Sequence, residues 1–379
     1  MKSFFLFIFL VFSASSLLWT SITPISLSSE PEPVRMAVAG LSHGHAHWIF
    51  QDEFTSDIPI VGIYEPNRNL VSQFKKRYKV DDSIFYDDLE KMLDDVQPEG
   101  ILAFGPVYNH LQAVEAAAPR GIHVMVEKPL AVSLEHATKM KHLADKYNIH
   151  LLTNYETSWY PSTEWSHHLL SQNSEQVGKL KKAVFNHGHQ GPKEIGLGPI
   201  FLEWLTDPKL NGGGAITDFG CYGANIMTYL TGGQAPLSIM AVTQTHKPDI
   251  YPDVDDDATI IVTYPNSQAI IQASWNWPYS RKDMDLYGER GSITVPDANR
   301  VIIRTGDRTE QTIIPVTAQK AGIETNPFQY FTGVIRETIQ PERYSLYTLE
   351  NNMIVMRILE AAKQSALTGQ KVDFEMVQD

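Results

Sequence analysis

The sequence predicts two folds in succession: an α/β half built on a doubly wound parallel sheet over residues 34–153, and an α+β half with a mostly antiparallel sheet over residues 154–372. Three observations carry this. Short apolar runs alternate with helical segments through the first half, a pattern that calls for parallel pairing through right-handed crossovers. After about Asn154 strand follows strand across short turns, which favours antiparallel pairing. A length of 379 residues leaves room for a core in each half.

In chain order, residues 34–39 are a short apolar strand and 43–54 the first helix. Residues 58–64 are the second strand and 67–78 the second helix, followed by a strand at 83–86 and a short helix over 87–93. The strand at 100–104, the helix at 110–118 and the strand at 123–126 continue the alternation. Ser133 is placed to cap a helix over 133–147, although His136 stands where a reciprocal capping box wants Glu or Gln. A strand at 149–153 closes the half. Beyond it, helices near 161–170 and 217–230 flank one strand at 180–186. Strands follow at 237–244, 258–264, 269–275, 284–287, 292–295, 301–304 and 311–314, with turns at Pro265-Asn266 and over 288–291. Helices near 327–339 and 346–368 end the chain, the latter stopped by Gly369.

Composition narrows the function before any motif does. Hydrophobic residues make up 43% and charged residues 20%, which excludes a wholly disordered chain. Lys and Arg number 31 against 44 Asp and Glu, a formal charge of −13 with no basic run, which argues against a nucleic-acid partner. Residues 1–28 read as a signal peptide and a flexible mature N-terminus: an apolar stretch runs from Phe4 to Phe12, and Ser13-Ala14-Ser15-Ser16 offers small residues for cleavage. Export, periplasmic or secreted, is therefore expected. The rival is an uncleaved anchor, because Leu17-Leu18-Trp19 extends the apolar run. Cys221 is the single cysteine, so neither an intrachain disulfide nor a thiolate metal cluster is expected.

The first strand runs into Gly40-Leu41-Ser42-His43-Gly44-His45-Ala46. A glycine here lets the chain turn tightly toward a helix N-terminus, whose free N–H groups and dipole hold a pyrophosphate. The strict dinucleotide fingerprint wants glycine at Ser42 and Gly or Ala at His45, so this loop is an altered one. Glu65 ends the second strand, 25 residues after Gly40. A carboxylate there accepts hydrogen bonds from ribose hydroxyls and repels a 2′-phosphate, favouring NAD over NADP; its plain alternative is a surface acid. His43 and His45 are expected beside the phosphates. No cysteine or suitably spaced acid accompanies the histidines at 43, 45, 47, 187 and 189, so no metal is expected.

Glu127-Lys128-Pro129, at the end of the fifth strand, is the sharpest motif. With Pro106-Val107-Tyr108-Asn109-His110, the Gly212-Gly213-Gly214 run before Asp218-x-Gly220-x-Tyr222, and the segment 288–292, it resembles the Gfo/Idh/MocA family, from Val34 to about Val372. The resemblance implies a Rossmann-like domain, then a domain with an open, mostly antiparallel sheet, a bound nicotinamide cofactor, a sugar or polyol substrate, and a homo-oligomer. On that footing Pro106, Asn109, His110 and Glu127 join Gly40, Ser42, His43, His45 and Glu65 as cofactor-binding residues. Lys128 is implied beside the nicotinamide and the substrate hydroxyl, where a cation stabilises a developing alkoxide. In many members an Asp-x-Gly-x-His pattern supplies the acid–base histidine. Here Tyr222 stands in that place, resembling the glucose–fructose oxidoreductase and dihydrodiol dehydrogenase branches. A phenol ionises near pH ~10, so Tyr222 needs a neighbouring cation such as Lys128 to act as a base. Asp218 and Tyr222, four residues apart, share one helix face, and Asn225 stands where some relatives have a second acid.

On the substrate side, Tyr155 and Trp159 follow the sixth strand, and His189 enters a Gly/Pro-rich loop. Aromatic faces and neutral donors suit a pyranose. Trp204, Trp275 and Trp277 read as core, and Asp255-Asp256-Asp257 as a solvated turn. The expected function is oxidoreduction of a sugar, polyol or glycoside with a tightly held, recycled cofactor. The alternatives are glycoside cleavage through transient oxidation and elimination, or a catalytically silent sugar binder.

Overall fold

The apolar runs of the first half are strands covered on both faces. The computed structural model describes residues 32–55, 57–171, 174–306 and 310–376; the leader expected over 1–28 lies outside them. Strands β1 (Met36–Ala39), β2 (Ile60–Tyr64), β3 (Phe85–Tyr86), β4 (Gly100–Ala103), β5 (His123–Glu127) and β6 (Leu151–Asn154) form one parallel sheet in the order β3-β2-β1-β4-β5-β6. Ala37, Ile101 and Val124 belong to the core on one face, and Met36, Val38, Leu102 and Met125 to the core on the other. Burial on both faces is why these strands read as unbroken apolar runs. The strand order reverses between β1 and β4, where sheets of this kind open a ligand crevice beyond their C-terminal ends. The second face is closed by the helix Pro327–Ile335 from the far end of the chain: Phe328 and Phe331 are fully buried there with Met36 and Phe104.

The first helix departs from expectation. Residues 43–54 are not one α-helix but a 3₁₀ helix, Gly44–Phe50, then a short turn of helix, Asp52–Thr55. In a 3₁₀ helix side chains three apart eclipse. His45 and Trp48 use that, stacking at 3.8 Å with 16° between planes. The run from His45 to Phe50 is poor in strong helix formers, so ring packing outweighs weak helical propensity. Elsewhere Ser133 caps its helix as expected, accepting the His136 N–H at 3.2 Å.

The second sheet has nine strands: β7 (Leu180–Gly188), β8 (Ser238–Gln244), β9 (Asp257–Thr263), β10 (Gln268–Ser274), β11 (Arg281–Gly288), β12 (Gly291–Asp297), β13 (Arg300–Thr305), β14 (Thr312–Pro315) and β15 (Val372–Asp373). Their order is β14-β13-β12-β11-β7-β10-β9-β8-β15, with β7 and β10 parallel and the other pairs antiparallel. Helices Gly220–Leu230 and Leu349–Thr368 pack on this sheet. Two helices were not anticipated, Pro199–Leu205 and Pro208–Asn211, both inside what reads as a Gly/Pro-rich loop. Each starts with proline at its first position, a recognised start signal.

Asp255-Asp256-Asp257 is not a solvated turn. Asp256 is fully buried and accepts the backbone N–H groups of His246 and Lys247 at 2.8 and 2.7 Å. Asp255 accepts those of Gly214 and Ile216 at 3.0 and 2.7 Å, fixing the start of the short helix Ala215–Asp218. The physical reason is unmet backbone donors, at a helix start for Asp255 and in the loop after β8 for Asp256, which carboxylates satisfy better than water inside a fold. Among the described residues no helix is long and apolar enough to cross a membrane.

Candidate active site

Gly40 leaves β1 with φ +88°, and a Cβ there would lie 2.7 Å from backbone atoms of Gly105 at the end of β4. The two glycines thus let the ends of β1 and β4 touch at the switch point. Glu65 ties the loop down, its carboxylate oxygens accepting the Leu41 and Asn67 N–H groups at 2.8 Å each. Burial raises its pKa, and these two hydrogen bonds work against the rise. Beside the loop is a cavity of about 250 Å³ lined by Gly40, Ser42, Glu65, Pro106, Asn109 and His110, with Trp204 on the far wall. Ser42 Oγ, His110 Nε2 and Trp204 Nε1 are buried and have no partner among the described residues. His110 donates its Nδ1–H to the Leu130 carbonyl at 3.1 Å, so its Nε2 is a free acceptor. A hydroxyl, an acceptor and a donor, all unmet around one cavity, fit a ligand rich in hydroxyls, amides and phosphate oxygens. A dinucleotide is such a ligand.

The adjoining group is His43, His45 and Glu127, whose ligand atoms lie within 4.8 Å of one another. Glu127 is buried; its Oε1 is 3.0 Å from His45 Nδ1 and accepts the Asn154 amide at 2.7 Å. Burial opposes its charge, but the two imidazoles and these hydrogen bonds hold the carboxyl well below the usual range. Burial pushes His43 down to about 3 despite the Glu127 charge, so this ring is neutral. His43 Nδ1 accepts the His45 N–H at 3.1 Å, which places the ring hydrogen on Nε2, 3.9 Å from Glu127 Oε2. A nitrogen that carries a hydrogen has no lone pair for a metal, so the trio is poorly arranged as a cation site.

Lys128 is the centre of the third group. Its ammonium pairs with the Asp218 carboxylate, donates to the Asp218 carbonyl at 3.1 Å, and stands 5.3 Å from the centre of the Tyr222 ring. Asp218 takes a second hydrogen bond from Trp275 Nε1 at 2.9 Å, so that tryptophan is core, as expected, and also a brace. Burial penalises both charges, yet each outweighs that for the other: Lys128 is held above the ordinary lysine value and Asp218 below the carboxylate value. Tyr222 joins the cluster beside Lys128, where the sequence expects it. Burial first, then the Glu156, Cys221, Asp218 and Glu127 side chains, push its phenol well above the ordinary value. Lys128 itself is paired with Asp218.

This geometry can be set against known proteins. Residues 34–155 match the profile described as "Oxidoreductase family, NAD-binding Rossmann fold", and residues 172–294 match the GFO/IDH/MocA C-terminal domain. The chain belongs to the Gfo/Idh/MocA family of oxidoreductases. A trans-1,2-dihydrobenzene-1,2-diol dehydrogenase of Xenopus laevis is 27% identical over 211 residues, covering 56% of this chain and 58% of that protein. A D-xylose 1-dehydrogenase [NADP(+)] of Haloarcula marismortui is 22% identical over 67% of this chain and 69% of its own length. Among solved structures, the aldose–aldose oxidoreductase from Caulobacter crescentus complexed with glycerol aligns with TM-score 0.74 at 19% identity, over 90% of this chain and 99% of that one.

In this Gfo/Idh/MocA chain the remaining predicted residues divide. Tyr155 is fully buried, edge-on to Tyr222 with ring centres 5.4 Å apart, and forms the floor of the site. His189 is half-buried near Asp218 and Lys128, its Nδ1 accepting the Gly191 N–H at 3.0 Å; burial pushes it down to about 4. Trp159 is not a substrate platform. It stacks on Tyr347 at 5.0 Å in the core and donates its N–H to Asn154 at 2.7 Å, which in turn holds Glu127. Asn225 bonds Leu346 and Asn351 between helices and has no part in the site.

Three contributors were missed. Lys282 pairs with Glu156 at 2.8 Å and lies 5.8 Å from the Tyr222 ring centre, a second cation beside that phenol. His187 is fully buried opposite Lys282 on β7, with neither ring nitrogen partnered among the described residues. A signal for Lys282 exists: with period two it falls on the same face as Met284 and Leu286, which are buried. The third is the helix Pro199–Leu205, which crosses the glycine loop. Phe201 packs 4.9 Å from the His43 ring and 4.8 Å from Trp204.

Proposed function

We propose that the protein is an NAD-dependent oxidoreductase acting on the CH–OH group of a sugar or polyol, with a cofactor kept bound through successive oxidation and reduction. The observation that carries this is Lys128: a buried ammonium, held by Asp218, two residues before the Leu130 carbonyl that His110 bonds from the wall of a cavity whose unmet polar atoms suit a dinucleotide. Gly40, Ser42, Glu65, Asn109 and His110 would hold the dinucleotide, which when bound supplies the hydride acceptor. Lys128 stabilises the alkoxide that develops as the carbinol carbon is oxidised, and Tyr222 and Lys282 are placed to orient neighbouring hydroxyls. The names of the diol dehydrogenase, xylose dehydrogenase and aldose–aldose oxidoreductase support a carbohydrate-like substrate. NAD rather than NADP rests on Glu65, whose carboxylate stands at the end of β2, where it would repel a 2′-phosphate.

Retention of the cofactor is supported by the Pro199–Leu205 helix. Its Ile200, Glu203 and Trp204 line the cavity, and the Tyr108 N–H anchors its far side through the Leu210 carbonyl at 2.9 Å. Lys247 anchors the near side, bonding Gln190, Glu194 and Trp275. With the leader over residues 1–28 directing export, free NAD is not at hand, and a retained cofactor removes the need for it. The exposed Met240, Val242 and Ile313 of the second sheet support a homo-oligomer in the same reading. Removing the rings of this helix, a strap over the glycine loop (Phe201→Ala with Trp204→Ala), should raise the cofactor dissociation rate roughly 10- to 100-fold, the effect of about 1.5–3 kcal/mol of lost apolar contact. Release timed after dilution into nucleotide-scavenging enzyme reads this directly.

Mass spectrometry of nucleotide released by acid from the purified protein tests the function. Stoichiometric NAD(H), reduced in place when D-xylose or D-glucose is added, is expected. NADP in its place would overturn the reading of Glu65. A protein that is empty and binds neither added NAD nor NADP would be a silent binder.

A further inference from the structure

Resting on the function just proposed, we propose that Lys282 and Glu156 form a substrate subsite that reads two adjacent hydroxyls of an uncharged sugar, beyond the hydroxyl that reacts at Lys128. Lys282 lies on β11 and Glu156 opens the 3₁₀ helix Glu156–Trp159 just after β6, so the pair joins the two halves of the chain. The Lys282 nitrogen is 5.8 Å from the centre of the Tyr222 ring, and the Lys128 nitrogen is 5.3 Å from the same centre. A sugar whose reacting hydroxyl meets Lys128 presents its further hydroxyls to Lys282 across this one phenol ring. The pair is also open to a ligand. Its side chains are 22% and 35% exposed, against 10% and 7% for Lys128 and Asp218.

The pair keeps hydrogen-bonding capacity of both kinds. Lys282 donates to Glu156 Oε2 at 2.8 Å, which takes one of its three N–H groups, and among the described residues its ammonium makes no other hydrogen bond. Glu156 accepts Lys282 on one oxygen and the Tyr160 hydroxyl on the other, so each oxygen keeps a lone pair. A charged donor and a charged acceptor one hydrogen-bond length apart match hydroxyls on adjacent carbons, whose gauche oxygens are about as far apart. His187 is the second, independent observation. It pairs with Lys282 across β7 and β11, is fully buried with its ring centre 5.7 Å from that of Tyr222, and has neither ring nitrogen partnered among the described residues. Burial, with the Lys282 charge adding to it, pushes this ring down to about 3, so it is neutral and holds one donor and one acceptor. Buried polar atoms rarely go unmet, and these stand beside an open donor–acceptor pair. Charge decides the class of sugar. Lys128 is matched by Asp218 and Lys282 by Glu156, so neither ammonium is left over for a carboxylate or phosphate on the substrate.

The test pairs changes in the sugar with changes in the holoprotein, in single turnover followed by absorbance of the reduced nicotinamide. D-glucose is compared with its 1-, 2-, 3- and 4-deoxy derivatives; the one that cannot be oxidised at all marks the reacting carbon. In the wild type, loss of either of two adjacent hydroxyls should raise half-saturation roughly 10- to 100-fold with little change in the limiting rate. Lys282→Met combined with Glu156→Gln should bind D-glucose as weakly as the wild type binds those deoxy sugars, and should tell them apart by less than about threefold. A wild type indifferent to every adjacent pair of hydroxyls overturns the proposal, and so does a double variant that discriminates as the wild type does. Should the double variant lose its nucleotide, Lys282→Gln reads the same cycle. If neither D-glucose nor D-xylose reduces the wild-type cofactor, the functional reading fails, and the cycle is read by equilibrium binding through tryptophan fluorescence. Loss of discrimination in the variant then keeps the subsite, whereas a protein that binds none of these sugars loses it as well.

Discussion

Replacing Lys128 with methionine is expected to cost about 3–5 kcal/mol of stability and to slow turnover by roughly 10³-fold. The two effects have different origins. Asp218 is 5% exposed, and without the ammonium its carboxylate keeps only the Trp275 N–H among the side-chain partners described. An uncompensated buried charge is what makes the breaking of such a pair expensive, far more than the net value of the pair itself. The rate loss comes instead from the missing cation at the developing alkoxide. Lys128→Met combined with Asp218→Asn separates them: the double variant should recover most of the stability, by urea unfolding, and none of the turnover. A single variant as stable as wild type would show the pair to be solvated, and a double variant with restored turnover would remove Lys128 from the chemistry. The pH dependence follows in sign. Asp218 is held low and Lys128 high, so the pair's contribution is present between those two ionisations. It is lost as pH falls through the Asp218 value and as it rises through the Lys128 value.

What the sequence reveals, and what it hides, follows from how far each feature depends on distant parts of the chain. The six parallel strands were legible because burial on both faces leaves unbroken apolar runs, and Gly40 because a tight strand-to-helix turn has few other solutions. Lys128, Asp218 and Tyr222 were brought together by motif order and do meet in the structure. Trp159 shows the limit: its position after the sixth strand suggested a sugar platform, but Tyr347, 188 residues on, fills that face. The 3₁₀ helix hid behind apolar spacing that an α-helix would share, and ring stacking between His45 and Trp48 favours it. Lys282 was legible in principle, from its register with Met284 and Leu286, and was passed over because a charge in a strand reads first as solvent-facing.

Substituting Gly40 with alanine is expected to abolish cofactor retention and to destabilise the fold by about 2–4 kcal/mol, strain and overpacking together. The backbone at Gly40 has φ +88°, where an L side chain is strained whatever the space. The space is also taken: the new Cβ would lie 2.7 Å from Gly105 N and Cα, backbone atoms of a buried strand end that cannot rotate aside. Relief can come only by moving the loop, and the Leu41 N–H to Glu65 bond at 2.8 Å would go with it. Ser42 would then leave the cavity wall on which the dinucleotide is expected to rest. Gly105→Ala is the matched control. Its Cβ would be 3.8 Å from Asn109, in ordinary contact, so stability should change by less than about 0.5 kcal/mol. Nucleotide content by acid release and unfolding midpoints read both variants. If Gly40→Ala retains its nucleotide, the cofactor does not depend on the close approach of β1 and β4. The glycine would then serve the fold alone, and the weight of cofactor binding would shift to His43, His45 and the strap that covers them.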